Sequence, residues 1–352
     1  MPRALAGGGH LTQARRMKTP GDLLACSAAR GAARVALGRL AAAQAAAARL
    51  ARPDDDEALH DFRVALRRLR SALRLYRAEL GKYVSVRLRR RVKKLARATN
   101  AARDAEVQIA WLRQARLRLT PAERRARNWW EIRLAARRDR SYESVRGRTL
   151  AAFFATAPLL ERALKPVAAS AADKDYGGFA RVTGERLQAT AQTLREALAK
   201  IQTVTDTTEI HAARIAGKRL RYLLEPVASE IPGGSAAVRK MKRFQDEFGL
   251  LNDAFVRMAE IEDAAQAAGA EQARVALHGA LAARSRARAT DDPVRGLVAI
   301  ARSVQRETGR RFRAVARDYL GSSGGSFVLS LTRLGARLAR DHQSLLDKEL
   351  AS

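Results

Sequence analysis

The sequence predicts an all-α protein, and three observations carry that expectation. Ala and Leu, both strong helix formers, dominate the apolar residues, while aromatics make up only 5% of the chain. Runs of β-branched residues with period-two alternation are scarce. Apolar residues recur instead at helical spacing: Phe62, Leu66, Leu69, Leu73 and Tyr76 form one stripe, and Leu88, Val92 and Leu95 another.

Residues 1–20 read as a flexible tail, punctuated by 7-GGG-9 and Pro20. An Ala-rich helix is expected from about Asp22 to Leu50. Pro53 and the run 54-DDDE-57 then mark a turn and a helix start, because acidic groups cap free amides and suit the positive end of the helix dipole. That helix is expected to run to Glu79, with Gly81 as its stop. Further helices are expected over 82–99, 101–119, 121–140, 141–155 and 158–170. The 122–148 stretch, with Trp129, Trp130 and many arginines, has no counterpart later in the chain and reads as an elaboration. The best boundary is 173-DKDYGG-178. Beyond it come a helix over 178–202, a helix capped by 206-DTTE-209, a break at 231-IPGGS-235 and a helix over 236–249. Gly269, 291-DDP-293 and 321-GSSGGS-326 separate the remaining helices.

Charge narrows the function. Lys and Arg number 67 against 36 Asp and Glu, a formal net charge of +31. Self-repulsion of that size disfavours a compact state unless anions relieve it, which points to DNA, RNA, an anionic membrane or a phosphate polymer. A compositional bias toward Ala and Arg is the bland alternative. The single cysteine, Cys26, allows no intramolecular disulfide. The first twenty residues contain no continuous apolar segment, and no stretch of about 18 apolar residues is free of charge, so a cytoplasmic protein without a membrane span is expected.

The arginines are not scattered. In 59-LHDFRVALRRLRSALRLY-76, His60, Arg63, Arg67, Arg70 and Arg74 fall within roughly 80° of the helix circumference, apart from the apolar stripe. The pattern returns in 210-IHAARIAGKRLRYLLE-225, where His211, Arg214, Lys218 and Arg221 occupy the same stripe at an offset of 151 residues. A second pair, 100-NAARDAEV-107 and 249-GLLNDAFV-256, repeats at an offset of 149, setting Asp104 against Asp253 and Lys93 against Lys242. Two similar units of about 150 residues are the simplest architecture. Like charges one turn apart repel, so a duplicated cationic ladder favours an anionic ligand over a solvated face. Arginine offers phosphate a planar fork and lysine a point charge. For the histidines, a structural role near a helix start stands beside phosphate contact. A metal site finds no HxxxH or CxxC spacing.

The two copies H-x-x-R-V-A-x-R-R-L-R at 60–70 and H-x-x-R-I-A-G-K-R-L-R-Y at 211–222, with 103-RD-104 and 252-ND-253, resemble the CHAD (conserved histidine α-helical domain) family over about residues 20–350. The resemblance implies two four-helix bundles related by a pseudo-twofold, binding of inorganic polyphosphate through basic residues, and association with polyphosphate granules. It also implies a stand-alone member: many relatives carry a CYTH-type triphosphate tunnel domain, whose ExExK signature is absent here, which argues against triphosphatase activity. The sequence departs from strict repetition, with Asn100 opposite Gly249 and Asp246 opposite Arg97.

The expected organisation is therefore a tail at 1–20, a first helical half at 21–172 and a second at 173–352. The candidate polyphosphate ligands are His60, Arg63, Arg67, Arg68, Arg70 and Arg74 on the first signature helix, and Arg90, Lys93 and Arg97 on the helix after it. In the second half they are His211, Arg214, Lys218, Arg219, Arg221, Arg239 and Lys242. No catalytic residue, metal or cofactor is expected. A nucleic-acid binder has only net charge in its favour, since no finger, zipper or RNP pattern occurs and aromatics are sparse. A phosphate-transfer enzyme lacks a GxxxxGK[ST] loop and an acidic cluster for Mg²⁺. Nucleic acid is expected at most as a non-specific competitor.

Overall fold

Alanine sets the closeness of the packing. The computed structural model describes residues 23–50, 55, 57–170, 177–281 and 293–350; the expected tail, half of the 54-DDDE-57 run, most of the 173-DKDYGG-178 boundary and the first two residues of 291-DDP-293 lie outside these residues. Helix α1 (Ala28–Leu50) buries Ala32, Ala33, Ala36, Leu40, Ala43 and Ala47 almost completely. Three helices lie against it: α2 (Ala58–Leu75), α7 (Leu150–Ala169) and α8 (Gly178–Ala199). The short α3 (Arg77–Leu80) and α4 (Val86–Ala98) follow α2, and α4 packs on α2 and α7. On the far side α8 holds α9 (Thr207–Leu224) and α12 (Gly321–Leu350), and α9 rests on α10 (Gly234–Leu281). Every element among the described residues is helical, as expected, and no helix among them is long and apolar enough to cross a membrane.

The signature helices are fixed from beneath. Phe62, Leu66, Leu69 and Leu73 of α2 are at most 2% exposed. Tyr76, just past its end, shares a 3.0 Å hydrogen bond between its hydroxyl and that of Thr183 on α8. In α9 the corresponding floor is Ile210, Ala213, Ala216, Leu220 and Leu223. Gly217 completes it, because a Cβ there would fall well inside contact distance of the Phe244 ring. The Gly217 carbonyl accepts a 3.0 Å hydrogen bond from Gln245 Nε2.

Several expected boundaries move. The helix expected to end at Gly249 runs on through Gly269 to Leu281. An interior glycine costs only about 1 kcal/mol; the buried face of Phe248, Leu251, Ala254, Ile261, Ala264 and Ala268 carries the helix across Gly249, and the turns after Gly269 continue it with mostly exposed residues. The first half does break at the equivalent place: buried Thr99, whose hydroxyl donates to the Ala96 carbonyl, separates α4 from α5 (Asn100–Gln114). Helix α6 (Pro121–Ser144) passes through a single π turn, Val145–Thr149, into α7 without interruption. Pro158, expected to open a helix, lies inside α7, as Pro166 does; both are exposed, while Phe153, Ala157, Leu160 and Leu164 hold the inner face. Residues 321–326 open α12 instead of forming a spacer, the turn falling at Leu320. The acidic caps also differ. Asp206 accepts from the backbone of Gln202 and Thr203, both at 2.8 Å, bracing the preceding turn, and makes no cap bond to α9. Asp55 pairs with Arg49 at 2.8 Å.

A second apolar cluster lies beyond the main core. Ile109 and Leu112 of α5, Trp130 and Leu134 of α6 and Ile261 of α10 meet Leu297, Ile300 and Val304 of α11 (Pro293–Tyr319). The Trp-containing stretch is therefore part of a packed lobe. Within it Arg257 is only 4% exposed, lies 4.1 Å from the Trp111 ring centre, and donates to Gln108 Oε1 at 3.0 Å.

Two glycine substitutions test this packing. Gly217→Ala is expected to destabilise by about 1–3 kcal/mol, because the Phe244 ring must move. Gly38→Ala in α1, where an added Cβ meets nothing within 4 Å, is expected to be neutral or to stabilise by up to about 1 kcal/mol through helix propensity. Urea titrations of the two variants check the contrast.

Candidate anion-binding site

Because the apolar faces of α2 and α9 both point inward, their basic faces point the other way, and the two helices touch. The stripes thereby converge. Lys218 of α9 sits where Arg214 of its own helix and Arg67 and Arg63 of α2 all act on its amine. Burial and then those three cations hold the ammonium down to about 7, with Asp253 of α10 opposing them. Arg63 is disfavoured as a cation by burial and by Arg67, and is relieved by Asp104 of α5. Arg214 is disfavoured by burial and by Arg67, and is relieved by Asp253. Asp104 thus stands to Arg63 as Asp253 stands to Arg214.

The guanidinium Nε atoms of Arg63, Arg67 and Arg214 are buried and make no hydrogen bond within the protein. A buried donor left unpaired costs about 1–3 kcal/mol, and three of them on two touching helices are chemically suited to oxyanions. Between the C-terminal halves of the two helices lies a cavity of about 180 Å³ lined by Arg67, Arg70, Arg74, Lys218, Arg219 and Tyr222, with no carboxylate in its wall. Arg97 of α4 faces the same region, since Arg70 is depressed by burial, then by Arg97, then by Arg74. Arg219 is depressed by burial and by Arg74. The site is a continuous cationic surface built from α2, α9 and the end of α4.

A family model for the CHAD domain matches residues 34–262 of this chain. The chain belongs to the CHAD domain family. The crystal structure of the CHAD domain from the plant Ricinus communis has the same fold, with a TM-score of 0.57 at 21% identity, covering 88% of this chain and 92% of that one. PptA from Streptomyces chartreusis matches with a TM-score of 0.51 at 16% identity, over 83% of this chain and 99% of that one. No match was found among curated proteins.

In this CHAD chain the sixteen candidate residues separate into groups. Arg63, Arg67, Arg70, Arg74, Arg97, Arg214, Lys218 and Arg219 come together around the helix crossing. His60 lies at one end, half-buried, its imidazole held below the ordinary value by burial and then by Arg103, with Arg63 adding to the effect. His211 is exposed, so the two histidines occupy unlike surroundings. Arg68 and Arg221 turn elsewhere: both contact Glu225 Oε1, at 3.2 and 3.3 Å, while Arg39 of α1 contacts its Oε2 at 3.4 Å. Arg90, Lys93, Arg239 and Lys242 are exposed on α4 and α10. Among the described residues no group of three His, Cys, Asp or Glu side chains could hold a metal ion.

Sequence reasoning missed three neighbours. Arg103 presses on both His60 and Arg63, and its place beside Asp104 in the repeated motif was the available signal. Tyr222 lines the cavity with a buried hydroxyl that has no hydrogen bond; it closes the second copy of the motif. Arg39 lies in the Ala-rich helix, where nothing marked it.

The amine at the crossing makes stability depend on pH. Lys218 has a folded-state value below that of the unfolded chain, so between pH 7 and about 10 the unfolded chain binds the extra proton and stability rises with pH. In buffer poor in anions, thermal melts are expected to show higher stability at pH 9 than at pH 7. Lys218→Met, which removes the charge and keeps the stem, is expected to reduce that slope and raise stability at pH 6 by about 1–3 kcal/mol.

Proposed function

We propose that this CHAD chain is a non-catalytic binder of inorganic polyphosphate, holding the polymer along the crossing of α2 and α9. The observation that carries the reading is the convergence of two cationic stripes with three buried, unpaired guanidinium donors between them. From His60 to Arg74 the first stripe spans about 21 Å, a length suited to an extended chain and more than one phosphate needs. Family membership supports the same ligand. The proposal includes association with polyphosphate granules in the cytoplasm. It also includes an internal twofold that relates two four-helix units dividing near residue 173; the matching Arg63–Asp104 and Arg214–Asp253 relations support it.

The deciding experiment is a pair of variants with equal charge removed. Arg63→Ala/Arg67→Ala/Arg70→Ala takes cations from the crossing. Arg302→Ala/Arg306→Ala/Arg310→Ala takes them from an exposed face of α11. Hydrogen bonds to charged groups contribute about 1.5–3 kcal/mol each, so the first variant is expected to lose at least about 100-fold in polyphosphate affinity. Its slope of log affinity against log salt is expected to fall by about two to three. The second is expected to lose less than about fivefold. Equal losses would show that the ligand senses net charge alone.

Affinity is also expected to rise with polymer length until both stripes are engaged. Orthophosphate and pyrophosphate should bind far more weakly than long chains, as measured by calorimetric titration. Tight orthophosphate binding would point to one compact pocket, and equal competition by DNA or RNA would favour a nucleic-acid binder.

A further inference from the structure

Among the described residues, Lys218 differs from the other lysines in its surroundings. Its half-buried amine shares a cavity of about 180 Å³ with Arg67, Arg70, Arg74 and Arg219, and no carboxylate lines that wall. Arg63 and Arg214 press on it from the other side, and Asp253 of α10 is the acidic group that opposes them. A desolvated amine beside other cations is a nucleophile, because a large share of it is neutral near pH 7. Exposed lysines keep all but roughly one part in a thousand protonated at that pH. The same cavity presents arginine forks to a phosphate group, so a phosphate-bearing electrophile would be delivered to the amine it reacts with.

We propose that Lys218 is a modification site: a small acyl phosphate, gripped through its phosphate by Arg67 and Arg70, transfers its acyl group to the Lys218 amine. The Nζ lone pair forms a bond to the acyl carbon, and the bond from that carbon to the phosphate oxygen breaks. Inorganic phosphate leaves with the electron pair, and the amine proton passes to it or to water. The step is a simple group transfer with no change of oxidation state. The product is a neutral amide that can no longer be protonated and that occupies part of the cavity. One cation is thereby removed from the crossing, so acylation lowers the affinity of the site for a polyanion. The inference rests on reading this cavity as an anion site, but it does not require that the anion be polyphosphate.

The test treats the full chain with acetyl phosphate and follows each lysine by peptide mass spectrometry. Lys218 is expected to acetylate at least tenfold faster than the exposed Lys82, Lys93 and Lys240. Its rate should level off above pH 7 to 8 while theirs keep climbing. Arg70→Ala is expected to slow the reaction with acetyl phosphate severalfold and to leave the reaction with acetic anhydride, which carries no phosphate, unchanged. Labelling of Lys218 no faster than of exposed lysines, or a rate at Lys218 that keeps rising tenfold per pH unit, would overturn the proposal. An equal effect of Arg70→Ala on both reagents would remove the phosphate grip from it and so refute it as stated. Long polyphosphate is expected to protect Lys218. If direct titration shows no polyphosphate binding while Lys218 still reacts preferentially, the inference stands and the proposed function is what fails.

Discussion

Arg63, Arg67, Arg214 and Lys218 bring four cationic side chains from two helices into one partly dehydrated crossing, where like charges repel more strongly than in bulk water. The fold must hold that arrangement against its own electrostatics. It does so from the opposite face of each helix. A buried Leu or Phe contributes about 1.5–3 kcal/mol, and α2 alone buries five such side chains, Leu59, Phe62, Leu66, Leu69 and Leu73, almost completely. That burial opposes a repulsion of a few kcal/mol per close pair at the effective dielectric of a protein surface. The basic crossing is thus sustained by hydrophobic packing beneath it, and the unpaired donors are what that packing leaves available for an anion.

The acidic residues near the crossing are few and specialised. Asp104 and Asp253 each relieve one arginine, which moderates the repulsion without filling the cavity. Glu225 gathers Arg39, Arg68 and Arg221 into one cluster at the junction of α1, α2 and α9. A half-buried carboxylate contacted by three arginines ties the two signature helices to α1. Arginines on neighbouring positions of one helix therefore do different work: Arg67 faces the cavity, and Arg68 holds the frame.

The lobe formed by the ends of α5 and α10 with α6 and α11 extends this frame. Its core draws on residues far apart in sequence, from Ile109 to Val304. Buried Arg257 bridges Gln108 and Glu307, with burial lowering its guanidinium to about 10. The continuous α10 carries Asp253 toward the crossing at one point and Ile261 into the lobe further along, so one rigid rod connects the two regions.

The sequence by itself determined the helical class, the two signature helices and the stripe on each, because those depend on the 3.6-residue period and on which residues are apolar. It also carried the family, since the motif is local and written twice. Helix ends were less legible: Gly249 and Pro158 look like breaks in one dimension, yet burial of a continuing apolar face carries the helices through them. The site was legible in part, for the same reason. Periodicity places Arg63, Arg67, Arg70 and Arg74 on one face, but it cannot say that Lys218 and Arg214 meet them. Nor can it say that Arg68 and Arg221 are taken by Glu225. Only the tertiary structure decided those assignments, because they depend on the distance and angle between helices, and packing between apolar faces sets both.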